Sequence, residues 1–453
     1  MKKLILARNF LIFSTLITLT TLVTRIDSAA ANEPTLKPVV RPVSRTLQLM
    51  NHEKNQGLAV EADLSSVDID LSIGVSSQRA LARAVVTFSV TEAGNPFFLL
   101  DAKIKSIVLD GSSVEINRVS APGTDSTELV VLMRPLEPGT PHVAVVDYVI
   151  GSSHLDFSES GVNFQTQMRD TQIAWKSRRH YFECYGPTGY ESDQYALTLH
   201  VALIGAYGRH RIFANGTVQE TQEHAWTITF PSYFSSSSFY LHITDAPLAV
   251  VETHYAGLER DIPITVYSEL KGRARKGAHA LPELLEQYER NFGPYPHASF
   301  IAYLPFIMFG GMEHSGAAVT TLDALGHELL HSWFGRCVSP SDGRSGWIDE
   351  AVVSWVDRGL PRGVWPPNRD HVNLGGFSIF ERFATKQAYR AGPRFIAELD
   401  GLLANSGGML AALKDFYTLH RCEPITTEIF QAFLETRTGV SLDQEFKSYV
   451  MGQ

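Results

Sequence analysis

The feature that most limits what this chain can fold into is His327-Glu328-Leu-Leu-His331, an H-E-x-x-H pattern within TTLDALGHELLHSWFGRCVSPSDGRSGWIDE, residues 320–350. On a helix, residues four apart share a face. His327 and His331 can therefore present two imidazoles to one metal ion, while Glu328, one step round, faces the water that the metal activates. Thr320 or Thr321 offers an N-cap, Leu322, Leu325, Leu329, Leu330 and Trp333 form an apolar back, and Gly335 offers a stop. Taken alone, the pattern also fits a helix with two partly buried histidines and a surface glutamate, so the flanks decide. Eighteen residues separate His331 from Glu350 in WIDEAVVSWVD, where Ile348, Val352, Trp355 and Val356 predict a second helix packed on the first. A catalytic zinc takes three protein ligands and keeps one position open, and His2Glu is a standard set that Glu350 completes. One Zn2+ per chain is the expected cofactor, because this donor set favours zinc over harder ions.

HELLHSWFG followed by WIDE at this spacing resembles the gluzincin zinc peptidases of the membrane alanyl aminopeptidase (aminopeptidase N) family, which also includes the leukotriene hydrolase. Upstream, Gly310-Gly311-Met312-Glu313-His314 is similar to that family's GAMEN exopeptidase motif and departs from it at His314, where the family has Asn. The glycyl aminopeptidases, near relatives, carry a similar Gly-Gly-hydrophobic-Glu-His run. The resemblance implies that Glu313 binds the substrate's free α-amino group, with Gly310, Gly311 and Met312 lining that edge. The family often places a further amine-binding glutamine where NFQTQ stands here, so Gln165 or Gln167 could match; a surface turn is the competing reading of each. Tyr389-Arg390-Ala391-Gly392 looks like the family's Tyr-x-x-Gly, which implies that the Tyr389 phenol helps hold the oxyanion, with Tyr417 as the substitute. A packed ring with a wet hydroxyl is the plainer reading of Tyr389.

The rest of the chain fits a multidomain α+β protein. Segments such as ALARAVVTFSV, VAVVDYVI, YALTLHVALI and AWTITF alternate or run apolar and are separated by Gly, Pro, Ser and Asp clusters, which predicts an all-β region. From about His254 short strands alternate with helical patterns, and beyond Glu350 FSIFERFATKQAY, PRFIAELDGLL, MLAALKDFYTLH, EIFQAFLETRTGV and DQEFKSYV all read as helices. With the resemblance, these become an N-terminal saddle-like β domain over 58–253, a thermolysin-like catalytic domain over 254–404 and a short helical segment over 405–453. Ending at Gln453, the chain leaves room only for that segment where most relatives continue into a large helical domain, and a more open cleft is expected.

Residues 1–31 read as a signal peptide: Met1-Lys2-Lys3 and Arg8 are basic, Phe10 to Val23 is apolar, and Ser28-Ala29-Ala30-Ala31 offers a cleavage site. An uncleaved membrane anchor is the alternative. Residues 32–57 form an irregular linker, and no later apolar run is long enough to span a bilayer. The protein is thus expected in the periplasm or the medium. A net charge of −9 without a Lys/Arg-rich block argues against a nucleic-acid partner. Cys184, Cys337 and Cys422 are too few and too irregularly spaced for a zinc ribbon or a disulfide framework; one disulfide plus a thiol is allowed, spacing does not choose the pair, and buried unpaired thiols fit at least as well. Asn215-Gly216-Thr217 satisfies a glycosylation sequon, but Asn-Gly between strands more simply marks a turn.

The function expected is an exported zinc aminopeptidase that hydrolyses the N-terminal residue of peptides. Zinc on His327, His331 and Glu350 and the general base Glu328 supply the chemistry. Two alternatives are a zinc endopeptidase with an open cleft, and a zinc-containing module that binds peptides without cutting them.

Overall fold

Asn55–Gly74 is a strand of 20 residues around which the β region is assembled. In its second half Val67, Ile69, Leu71 and Ile73 point inward and alternate with exposed or half-exposed neighbours, as a sheet with one buried face requires. This half pairs antiparallel with Arg79–Val90 and parallel with Ala196–Ile204. Its first half pairs with Thr46–Met50 and Asn95–Leu99, so a single strand serves two parts of a curled, twelve-stranded sheet. The register slips between Leu64 and Ser66, and at the slip the Leu64 N–H donates to the buried Asp193 carboxyl at 3.0 Å. A second sheet, in the order Asp156–Phe157, Val162–Gln165, Leu241–Thr244, Arg211–Ala214, shares a core with the first, including Ile69, Val86, Phe164, Phe230, Phe239 and Ile243. This computed structural model describes residues 45–50, 55–124, 128–151, 155–166, 182–306, 310–359, 372–376, 378–380 and 384–453. Residues 1–31 and most of 32–57 thus lie outside the described residues.

The third sheet positions the site. Its five strands run Ala249–Ala256, Asp261–Ser268, Phe300–Tyr303, Ala317–Thr320, Gly311–His314 in spatial order. The second, third and fourth are mutually parallel, and Gly311–His314 lies antiparallel at the edge. A parallel pair needs a crossover, here helix α1 (Lys271–Phe292), whose Ala274, Leu281, Leu285 and Phe292 are buried. The other α-helices among the described residues are α2 (Leu325–Leu330), α3 (Trp347–Arg358), α4 (Gly392–Leu402), α5 (Gly408–Leu419), α6 (Thr427–Thr438) and α7 (Asp443–Tyr449). All seven contribute to one core. Trp347 at the start of α3 packs on Phe395, Phe430 and Phe446 and donates its indole N–H to Thr427 Oγ1 at 3.1 Å. No helix among the described residues is long and apolar enough to cross a membrane.

The mixed architecture expected from the sequence is borne out: a β-rich first part, a mixed-sheet part and a helical end. Two local expectations are corrected. The described part of FSIFERFATKQAY forms turns rather than a helix, because the N–H of Ala388 donates to the Thr385 carbonyl and those of Arg390, Ala391 and Gly392 donate to the Gln387 carbonyl in tight local loops. The zinc-pattern helix is also shorter at its start, since Thr320 is held in the Ala317–Thr320 strand and Ala324 stands at the N-cap without a side-chain cap. Thr321 instead accepts the Ala324 N–H at 3.3 Å. Asn215 turns the chain from one sheet to another, as expected of Asn-Gly. Its amide donates to Ser238 O and Ser315 O and its oxygen accepts from Tyr240 N–H, so the nitrogen a glycan would need is in use.

His297, in the turn that follows α1, is buried against Tyr233, Tyr295 and Phe234. Burial pushes its imidazole down to about 3 from an ordinary 6.5. The unfolded chain therefore binds a proton in a window where the native state does not, and stability must fall as pH drops from about 6.5 toward 3, by up to roughly 1.4 kcal/mol per pH unit. Urea denaturation at several pH values should show a shallower acid slope for His297→Asn than for the native sequence; equal slopes would show that His297 is not kept neutral.

Candidate metal centre and active site

Although α2 is short, His331 at its C-cap keeps helical backbone angles, φ −57° and ψ −19°, so the four-residue spacing still stacks the two imidazoles on one side. Their Nε2 atoms stand 3.3 Å apart. Glu350, in the first turn of α3, brings Oε2 to 3.5 Å from His327 Nε2 and 3.7 Å from His331 Nε2. The tautomer of His331 follows from its other end. His331 Nδ1 lies 3.2 Å from Phe334 O, which can only accept, so Nδ1 carries the proton and Nε2 a lone pair. His327 Nδ1 faces Asp357 Oδ2 at 3.8 Å. Glu350 Oε2 is buried and has no hydrogen-bond partner, while Oε1 accepts from the Tyr389 hydroxyl at 2.5 Å.

Three acceptors facing one another in a buried pocket repel unless a cation lies among them. The wider neighbourhood sharpens the point, because Glu313, Glu328 and Glu350 are buried and Asp349 is half-buried beside them. Burial, with the charges of Glu313 and Glu350, holds the Glu328 carboxyl well above the usual carboxylate range. Burial and the charges of Glu350 and Glu313 do the same to Asp349, whose Oδ1 accepts the Glu350 N–H. His327, Glu350 and His331 can hold a metal ion, and their buried orphan oxygen and converging lone pairs fit a tetrahedral N2O set.

The edge strand Gly311–His314 runs against this pocket. A Cβ on Gly311 would stand 2.2 Å from Glu328 Oε1, so only glycine leaves room for that carboxylate. Gly310 adopts φ +81°, a left-handed conformation that a side chain would strain. Met312 is buried within the strand, and Glu313 is buried beside Glu328. Burial alone would raise the Glu313 carboxyl, but the guanidinium of Arg336 and nearby His331 outweigh it and bring it to about 2.

Arg336 went unread in the sequence, and it is the guanidinium set among these acids. Its Nη2 lies 2.6 Å from Glu313 Oε1; its Nη1 donates to Ser237 Oγ, and Glu191 Oε2 is 4.0 Å away. Glu191 in turn accepts from Ser235 at 2.9 Å, Ser236 at 3.1 Å and Ser237. A signal for it exists in WFGRCV: a charge inside an apolar run will be buried and must find acids.

Of the other residues singled out from sequence, Tyr389 reaches the centre through Glu350. Gly392 makes this approach close, since a Cβ there would meet the Ala351 Cβ at 2.6 Å. Tyr417 is set apart: its hydroxyl donates to Pro294 O at 2.6 Å in the core beneath α1. Gln165 donates to the Tyr240 hydroxyl at 3.3 Å, and the Tyr240 ring packs 5.1 Å from the His314 ring, which puts Gln165 one ring removed from the edge strand. Gln167 lies outside the described residues.

No family model matches the chain. Aminopeptidase N of Canis lupus familiaris is 21% identical over 321 residues, 60% of this chain, and the chain spans 32% of the length of that relative. An M1 zinc metallopeptidase mutant from Deinococcus radiodurans, bound to a Tyr-Ser-Ala substrate, superposes with a TM-score of 0.62 at 16% identity, covering 86% of this chain and 94% of the other. Legionella pneumophila aminopeptidase A in complex with aspartic acid superposes with a TM-score of 0.64 at 13% identity, covering 90% and 51%. The chain has the M1 gluzincin fold. The resemblance drawn from HELLHSWFG and WIDE is borne out at that level, and the coverage of the Deinococcus protein extends it over nearly the whole of a second chain. Within this M1 fold, the charge balance of the pocket depends on Arg336.

Removing one partner of a buried ion pair is costly because the other charge is left unpaired. Arg336→Met should lower stability by about 3–5 kcal/mol, and Arg336→Lys by less. Guanidinium denaturation checks this; a loss below about 1 kcal/mol for Met would mean that Glu313 and Glu191 do not need the guanidinium.

Proposed function

We propose that this protein is a zinc-dependent aminopeptidase. The observation that carries the reading is the convergence of His327 Nε2, His331 Nε2 and an otherwise unpartnered Glu350 Oε2 beside Glu328 and the edge strand. His327, His331 and Glu350 would hold the zinc, which as a Lewis acid polarises a peptide carbonyl and makes water acidic enough to attack at neutral pH. Glu328, packed against Gly311, would accept the proton of the attacking water and deliver it to the leaving amine once a bound cation offsets the burial and acidic neighbours that otherwise keep it protonated. Asp357 and the Phe334 carbonyl hold the two imidazoles in the orientation ligation needs. Tyr389, a hydroxyl donor already at Glu350, turns to the carbonyl oxygen as negative charge develops there. Burial and the Glu350 charge keep that phenol protonated far above its ordinary range, so it serves as a donor.

The edge strand extends a substrate backbone by β-pairing, and Glu313 meets the free ammonium at its end, with Gly310, Gly311 and Met312 beside it and Gln165 on the far side of the Tyr240 ring. This arrangement sets the scissile bond one residue in. A second reading has a specific support: Arg336 already engages one Glu313 oxygen, which weakens the anchor for an ammonium and favours cleavage of chains without a free N-terminus. Export by residues 1–31 to the periplasm or medium belongs to the same proposal and rests on the basic start, apolar run and small residues at 28–31.

The test is hydrolysis of aminoacyl fluorogenic amides, free and N-acetylated, by the native sequence and by Glu328→Gln, with zinc content measured for both. Metal-dependent release from free amides alone establishes the aminopeptidase; release from acetylated ones selects the endopeptidase reading. Glu328→Gln should retain zinc and lose about 10²–10⁴ in kcat, the usual contribution of a general base. Undiminished turnover in that zinc-loaded variant would remove Glu328 from its role, and silence of the native protein with zinc bound would leave a peptide-binding module.

A further inference from the structure

Two of the three cysteines meet. Cys337 follows Arg336 on the segment that leaves α2, and Cys422 lies in the turn between α5 and α6; their sulfurs are 2.7 Å apart. The backbone, independently of the sulfurs, sets them opposite each other. Ser339–Pro340 and Pro424–Ile425 form a short parallel ladder in which Ser339 pairs with Pro424 and Pro340 with Ile425. Cys337 and Cys422 stand 85 residues apart in sequence and continue that same register two positions earlier. Parallel neighbours lie about 4.8 Å apart, within the range of Cα separations that a disulfide spans.

Both cysteines are held firmly. Cys337 is buried, and its sulfur accepts the Cys422 N–H at 2.9 Å. Cys422 adopts φ +57°, a conformation that a non-glycine residue takes only where its surroundings impose it. Here Gln194 donates to the Cys422 carbonyl at 3.0 Å, and the preceding Arg421 grips Glu259 with two bonds of 2.8 and 2.9 Å. Cys184 lies elsewhere, its sulfur facing Asp101 Oδ2 at 4.0 Å.

We propose that Cys337 and Cys422 are a redox-reversible pair that closes to a disulfide and staples the segment carrying Arg336 to the turn between α5 and α6. The step is thiol–disulfide exchange with a small-molecule disulfide such as oxidised glutathione. Cys422, the more exposed of the two, loses its proton, and its thiolate attacks the donor, forming a mixed disulfide and expelling one donor thiolate. Cys337 then loses its proton and attacks the Cys422 sulfur, forming the Cys337–Cys422 bond and expelling the second donor thiolate. The cysteines give up two electrons, the donor gains them, and two protons leave. Hydrogen bonding to Cys337 and the neighbouring Arg421 charge both favour the Cys422 thiolate as the first attacker. Closed, the staple fixes the position of Arg336, and with it the guanidinium that holds Glu313.

The full chain, equilibrated with oxidised glutathione and then with a reductant, is alkylated under denaturing conditions and digested without reduction. The expected result is a Cys337–Cys422 cross-linked peptide with one alkylatable thiol, at Cys184, before reduction and three thiols after it. The melting temperature of the oxidised protein should exceed that of the reduced protein by several degrees, and a C337S/C422S double variant should melt at one temperature in both conditions. Three alkylatable thiols after oxidation, a persistent glutathione adduct on Cys337 or Cys422, or a cross-link that includes Cys184 would each overturn the pairing. A cross-link that forms without raising the melting temperature would overturn its role as a staple. None of these outcomes depends on whether the protein hydrolyses peptides.

Discussion

Three ligating atoms held face to face in a largely buried pocket are the constraint on which the centre of this molecule turns. His327 Nε2, His331 Nε2 and Glu350 Oε2 approach within 3.3–3.7 Å of one another. Phe334 O takes the proton end of His331, Tyr389 takes the other oxygen of Glu350, and both His331 and Glu350 are buried, with His327 half-buried at the rim. Such an arrangement is unfavourable in isolation and makes sense when a cation occupies it. Its rigidity comes from helices α2 and α3, both locked into one apolar core, so that the cost of holding repelling groups together is spread over the packing of Trp333, Trp347 and their neighbours.

Arg336 extends this electrostatic argument outward. One guanidinium, buried between Glu313 on the edge strand and Glu191 with its three serine hydroxyls, joins the mixed sheet to the loop Ser235–Ser238. The link makes the edge strand part of a charged network rather than a free rim, and it gives Glu313 a partner within the protein. On the proposed reading, a substrate ammonium is recognised against an existing ion pair, a different balance from that of an unpaired glutamate. The segment holding Arg336 also carries Cys337, so the charge network and the sulfur pair share one stretch of backbone.

Much of this was legible from residue order alone where the relevant spacing is local. A spacing of four between imidazoles defines one helix face whatever surrounds it, and His331 kept that face even though α2 ended beneath it. Alternating Val, Thr and aromatic residues became strands, and Gly310 and Gly311 stand where a positive φ and the Glu328 carboxylate allow nothing larger. Where local pattern and tertiary context competed, context prevailed. Thr320 stayed in its strand rather than capping α2, and the turn at 385–391 brought Tyr389 to Glu350 through a loop, although its sequence reads as a helix.

By itself, then, the sequence determined the donor set, its spacing, the sheet-and-helix order and the small residues that clear space around Glu328, because each depends on the geometry of a short segment. Only the tertiary structure decided that Glu313 pairs with Arg336, that Tyr389 rather than Tyr417 faces Glu350, and that Cys337 meets Cys422. Those contacts join residues 23, 39 and 85 positions apart. No local periodicity records such separations; they are set by how helices and sheets bury their apolar faces against one another, and buried charges and sulfurs take the partners which that packing brings within reach.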